Sequence, residues 1–299
     1  WSTPPMAAME LTRELTDNLA GPHLELSKDE EDFIAGEDLL DVLRDALRRR
    51  GFAVLRLDNT AERAALDAAA AAGTALLSAA ADAEGGSSGS SSRVPGRHPS
   101  YPKLALHGMG RCSTPAYGGR EQFHSICGAA DLCPWPSAEF REAFQGGEAV
   151  LRALCLSSLQ LLGADALEEW RSSVAADGDP SVCDAFLYPA PPDPEEASAP
   201  KDPKIAMDSH LDPGWWTAKQ GSDAHGLQLW DRELGAWVDA ESPAFYGDGC
   251  EPRDAVVIFA GERAAQWTEG TAFEVPAVPH RIMAPLGPHP RGSFVYELR

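Results

Sequence analysis

Toward the end of the chain a histidine and an aspartate stand two residues apart, His210 and Asp212, and a further histidine stands at His280. Two imidazoles and one carboxylate are the donor set that holds non-heme Fe(II) on one face and leaves the opposite face open. Arg291 and Ser293 follow His280 by eleven and thirteen residues. They offer a cationic fork and a hydroxyl to an acidic cosubstrate. The chemistry in prospect is the activation of dioxygen. The H-x-D pattern alone is weak, because eight histidines and 46 acidic residues make a chance match ordinary. Its bland reading is a hydrogen-bonded histidine near a turn, and that of Arg291 is a surface strand residue.

The elements that must position these residues are of two textures. In residues 36–50, Leu39, Leu40, Leu43, Ala46 and Leu47 recur at helical spacing, ending in Arg48-Arg49-Arg50 and the stop signal Gly51. A strand is predicted at Phe52 to Leu57, a second helix over the alanine-rich run 61–81, and further helix over 137–176. Asp82 to Arg97, rich in glycine and serine, reads as a flexible insertion, and the Pro- and acid-rich stretch 189–203 as an exposed loop. Past residue 204 short apolar runs alternate with Gly, Asp and Pro: 226–230, 236–238, 255–259 and 294–296. That spacing suits an all-β sandwich or barrel. On a strand, residues i and i+2 share a face, so His210 with Asp212 and Arg291 with Ser293 can each act as a pair. The acidic run Asp29-Glu30-Glu31-Asp32 reads as helix-start chemistry rather than a calcium site.

Together these pieces resemble the isopenicillin N synthase-like 2-oxoglutarate/Fe(II) dioxygenases. The resemblance rests on His210-Leu211-Asp212-Pro213-Gly214-Trp215-Trp216-Thr217, Gly226-Leu227-Gln228-Leu229, Trp237-Val238, Gly261-Glu262, Trp267-Thr268-Glu269-Gly270, and His280-Arg281 through Arg291-Gly292-Ser293, in the family's order over residues 181–299. Upstream it is thinner: Arg50-Gly51-Phe52, Arg120 to His124, Pro134-Trp135-Pro136 and Tyr188-Pro189. The resemblance implies an α+β chain with a mainly β core: a double-stranded β-helix, or jelly-roll, over 181–299, with a helical region over 1–180 packed around it. It further implies Fe(II) on His210, Asp212 and His280, and 2-oxoglutarate with its far carboxylate on Arg291 and Ser293, helped by Tyr188. The family's asparagine two residues before that tyrosine is Phe186 here, so no such role carries over. O2 is the oxidant, with ascorbate an optional reductant. The implied reaction hydroxylates or desaturates a small organic molecule through an Fe(IV)-oxo species and releases succinate and CO2.

Phe123, His124, Trp215 and Trp230 are the candidate substrate contacts, with Trp135 and Trp216 beside them, although such rings are more often core. Arg120 reads as a solvated arginine, with an acidic substrate group as its alternative partner. At 43% hydrophobic the 299 residues can bury a sizeable core, and the net charge of −21 disfavours a nucleic-acid partner. Six cysteines without a C-x-x-C pair suggest reduced thiols and a cytoplasmic protein. No run of 18 or more apolar residues is evident, which argues against a membrane span, and Trp1 to Pro5 lacks signal-peptide character. Two other readings compete: a non-heme iron oxidase of the same fold that needs no 2-oxoglutarate, and a non-catalytic binding or structural subunit. Substrate and oligomeric state are not legible.

Overall fold

The computed structural model describes residues 9–11, 35–57, 59–85, 108–112, 120–190, 205–222, 224–242, 245, 251–285 and 289–299. Most of the flexible stretch 82–97, most of the Pro-rich stretch 189–203 and the acidic run 29–32 lie outside the described residues.

Helix α1 (Ala35–Arg50) buries Leu43 and Leu47, one turn apart. It stops at Gly51, whose φ of 84° is open to glycine at no steric cost and whose amide donates to the Leu47 carbonyl at 2.8 Å. The chain turns directly into β2 (Phe52–Leu57), so the predicted helix, stop and strand all form. Helix α2 (Thr60–Gly85) follows. By length and composition Thr60–Ala81 is apolar enough to cross a membrane, with a hydropathy of 1.4, although Glu62, Arg63 and Asp67 keep it from being an unbroken apolar run. In the fold it packs on helix α3 (Ala138–Gln160) and on the sheet beneath, burying Leu66, Ala69 and Leu77. Ser137 caps α3, its hydroxyl accepting from the Phe140 amide at 3.1 Å, and α4 (Ala164–Asp177) completes this layer.

The strands make two mainly antiparallel sheets. With β1 (Met9–Leu11), β3 (Gly108–Cys112), β4 (Arg120–Ile126), β5 (Val182–Tyr188), β7 (Trp216–Gln220), β10 (Ala255–Ala260) and β12 (Arg291–Leu298), the larger sheet runs β1-β2-β10-β7-β12-β5-β4-β3. The smaller runs β6-β11-β8-β9, from β6 (Ile205–His210), β11 (His280–Met283), β8 (Leu227–Asp231) and β9 (Ala236–Asp239). The four apolar runs expected as strands lie in β8, β9, β10 and β12. The region before residue 181 is not simply a helical wrap, because β1 to β4 belong to the larger sheet.

One apolar cluster joins the helices to the back of the larger sheet and includes Leu43, Leu66, Phe144, Trp216 and Phe294. A second holds Phe52, Val257 and Phe259 of the larger sheet with Leu227, Leu229 and Ile282 of the smaller. The two sheets therefore meet face to face, and the functional cavity opens between them.

Candidate metal centre and its cavity

His210 is the last residue of β6 and His280 the first of β11, and the two are direct cross-strand partners. Their ring centroids are 4.1 Å apart. Asp212 stands in the turn just past β6, with Oδ1 at 3.6 Å from His210 Nε2 and 3.7 Å from His280 Nε2. One ligand atom from each residue falls within 4.8 Å of the others, making the metal-competent group among the described residues.

The donors are oriented by their neighbours. His210 Nδ1 lies 2.9 Å from the Asp208 carbonyl and His280 Nδ1 lies 3.3 Å from the Val278 carbonyl. A carbonyl only accepts, so each Nδ1 carries the proton and each Nε2 keeps its lone pair for an ion. Burial holds the His280 imidazole below the usual histidine range; Asp212 opposes this and His210 acts with it. The Thr217 hydroxyl donates to Asp212 Oδ2 and leaves Oδ1 facing the histidines.

The turn that carries Asp212 is stapled to a short helix, α5 (Glu262–Thr268). Glu262 N donates to the Asp212 carbonyl at 2.8 Å, Arg263 N to the Gly214 carbonyl at 3.1 Å, and Gly261 N to the Trp215 carbonyl at 3.0 Å. Gly214 N donates to Glu297 Oε1 at 3.0 Å. Such close approach needs glycine at Gly261, where a Cβ would stand 2.2 Å from the Gly214 carbonyl oxygen.

The cavity beside this group has a volume of about 330 Å³, a size suited to a small molecule. Met207, Leu227, Phe259, Ile282 and Val295 give it apolar walls, and β4 and β5 add a polar one. There Asp184 Oδ1 receives Gln122 Nε2 at 2.8 Å and His124 Nδ1 at 2.7 Å, and Arg120 lies over the Phe186 ring at 4.9 Å. Arg120 thus faces the cavity rather than bulk solvent, and Tyr188 and Ser293 line it too.

Three of the four expected substrate contacts lie elsewhere. Phe123 is wholly buried against Phe140 and Phe144, its centroid 4.8 and 5.3 Å from theirs. Strand side chains alternate, so His124 and Phe123 cannot share a face, and the cavity takes His124. Trp215 packs on Trp267 with centroids 5.5 Å apart, under the Arg263 guanidinium. Trp230 pairs with Trp237 on the face of β8 opposite Leu229. Trp135 and Trp216 also belong to the helix-side core.

Arg291 departs from expectation. It shares a strand face with Ser293 but does not line the cavity, and it is fully buried. Nη2 donates to both Glu241 oxygens at 3.0 Å and Nε to the Ala224 carbonyl at 3.1 Å, while Nη1 is buried with no hydrogen-bond partner. Glu241 also receives Lys219 Nζ and the Leu227 amide, the latter at 2.9 Å. Burial pushes the Glu241 carboxyl up, but Arg291 and Lys219 outweigh it and hold it at about 2. Burial pulls the Lys219 ammonium down to about 8, Glu241 opposing. Lys219, unlike Arg291, lines the cavity. Lys219, Glu241 and Asp184 went unremarked in the sequence; the signal available was a lysine between Trp216-Thr217-Ala218 and Gln220, in a strand that is buried throughout.

This donor set suits Fe(II), with nitrogen and carboxylate oxygen on neighbouring elements and a cavity at one side. The Ser293 and Tyr188 hydroxyls and the Lys219 ammonium, which line the cavity, suit a carboxylate, and the buried Arg291 adds positive charge behind them.

No family profile matches the chain and no curated protein is detectably similar to it. Solved structures do match. The rice dioxygenase for auxin oxidation is 19% identical over 88% of this chain and 78% of that one, with a TM-score of 0.57. Its Arabidopsis thaliana counterpart, solved with 2-oxoglutarate, is 18% identical over 98% and 92%, with a TM-score of 0.56. A full-length Neurospora crassa protein solved with α-ketoglutarate and thymine is 15% identical over 98% and 85%, with a TM-score of 0.60. The chain has the fold of the 2-oxoglutarate/Fe(II) oxygenases.

Proposed function

We propose that this protein is a 2-oxoglutarate- and Fe(II)-dependent oxygenase that oxidises a small organic molecule, built on a double-stranded β-helix. The observation that carries this reading is the convergence of His210 Nε2, His280 Nε2 and Asp212 Oδ1 at the edge of a 330 Å³ cavity. When bound, the iron supplies the redox chemistry that couples oxidative decarboxylation of 2-oxoglutarate to hydroxylation or desaturation of substrate.

The residues of the chain do the rest. His210, Asp212 and His280 hold the ion, and Thr217 keeps Asp212 turned toward it. Ser293 and Tyr188 donate to the far end of the cosubstrate, in a field made positive by Lys219, Arg291 and Arg120. Met207, Phe259, Ile282 and Val295 keep water from the reacting centre. Gln122, His124 and Asp184 offer hydrogen bonds to a polar group of the substrate. A small substrate agrees with the thymine held by the Neurospora protein of the same fold.

The test is anaerobic addition of Fe(II) and 2-oxoglutarate, read by the metal-to-ligand absorption band in the visible, then succinate released per O2 consumed. His210→Ala, Asp212→Ala and His280→Ala should each abolish the band and succinate release while leaving the melting temperature near wild type. Full succinate release by Asp212→Ala would overturn the ligand assignment. O2 consumption without succinate would point to the oxidase reading.

A further inference from the structure

Resting on the cosubstrate reading above, we propose that Lys219, together with Ser293, receives the far carboxylate of the 2-oxo diacid in this chain, and that Glu241 weakens this contact. The strand register orders the candidates. Glu297 on β12 stands opposite Thr217, the residue that holds Asp212, so this pair marks the metal end of the larger sheet. Val295 stands opposite Lys219, Ser293 follows on the same face, and Arg291 comes last. Lys219 is thus nearer the metal end than Arg291, on the strand beside Ser293.

The donors that remain point the same way. An ammonium has three N–H groups. Lys219 Nζ uses one on Glu241 and one on the Gln220 carbonyl at 2.7 Å, which leaves one for a ligand in the cavity it lines. Arg291 is fully buried and commits Nη2 and Nε to Glu241 and the Ala224 carbonyl. Its Nη1 is free but the residue does not line the cavity, so Arg291 contributes charge behind the contact. Glu241 is fully buried and cancels one of the two adjacent positive charges. An incoming carboxylate meets its repulsion as well as their attraction.

The experiment compares 2-oxoglutarate with 2-oxopentanoate, which keeps the metal-chelating end and lacks the far carboxylate. Affinities are measured by anaerobic titration of the Fe(II)-loaded protein, and their ratio isolates the far contact. Lys219→Met should lower that ratio at least tenfold, Lys219→Arg should restore most of it, and Glu241→Gln should raise it severalfold. Fe(II) affinity and the melting curve report whether each variant is folded; where Glu241→Gln fails to fold, the two Lys219 variants decide. A ratio unchanged in folded Lys219→Met, or one that falls in folded Glu241→Gln, overturns the proposal. A wild-type protein that binds the two acids equally would instead overturn the cosubstrate reading.

Discussion

At the scale of single residues, the candidate metal site depends on groups outside the His210, Asp212 and His280 donor set. Thr217 holds one oxygen of Asp212 and so aims the other at the histidines. Removing such an outer partner costs about 10–100-fold in metal affinity. Thr217→Val, close in shape, should therefore weaken Fe(II) binding by about that factor in a direct titration, with little change in melting temperature. Lys219 carries a second expectation. Its ammonium, held down to about 8 by burial, faces Glu241, Arg291 and Asp239, and the charged form is the one that attracts a carboxylate. 2-Oxoglutarate affinity should be full well below pH 8 and fall as pH rises through about 8, while Lys219→Arg, whose guanidinium stays protonated, should hold level through pH 9. Residue types marked the candidate metal ligands, since the imidazoles of His210 and His280 and the carboxylate of Asp212 carry that chemistry wherever they stand. Which neighbour faced inward was a different matter: His124 and Phe123 were equally suggestive, and only the sheet's alternation separates them.

At the scale of elements, two devices make the centre. The β6–β11 pairing brings His210 and His280 side by side across 70 residues of sequence, and α5 clamps the turn that bears Asp212. The clamp works because Gly261 lets backbone approach backbone. In Gly261→Ala the new Cβ would meet the Gly214 and Asp212 carbonyl oxygens at 2.2 and 2.8 Å, and neither can move without moving the turn. That substitution should cost about 1–3 kcal/mol in chemical denaturation, the usual range for overpacking, and should weaken Fe(II) binding as well. Helix periods and the Gly51 stop were legible in the chain because each is a local property. β4, β5 and β7 were hard to see because both of their faces are largely covered, so no polar–apolar alternation marks them. Helix α2 shows the converse: its composition alone suits a membrane, while in the fold one face of it, with Leu66, Ala69 and Leu77, joins the helix-side core.

At the scale of the whole molecule, the larger sheet separates two cores with different duties. The helix-side cluster, where Phe123, Trp135, Phe140, Phe144 and Phe294 stack with centroids 4.8 to 6.3 Å apart, braces the sheet from behind. Phe144→Ala should cost about 3–5 kcal/mol in denaturant unfolding, as for large aromatic truncations in cores. It should leave Fe(II) affinity of the folded fraction close to wild type, because no metal ligand belongs to that cluster. The chain by itself determined the candidate donor set, the order of the motifs and the β-rich texture around them, since these depend on residue type and short-range spacing. Tertiary structure alone decided which candidates converge. It set His210 beside His280, sent Phe123, Trp215 and Trp230 away from the cavity, and tied Arg291 to Glu241 while leaving Lys219 at the wall. Those outcomes follow from strand register and buried charge pairing between residues far apart in sequence, and no local pattern carries either one.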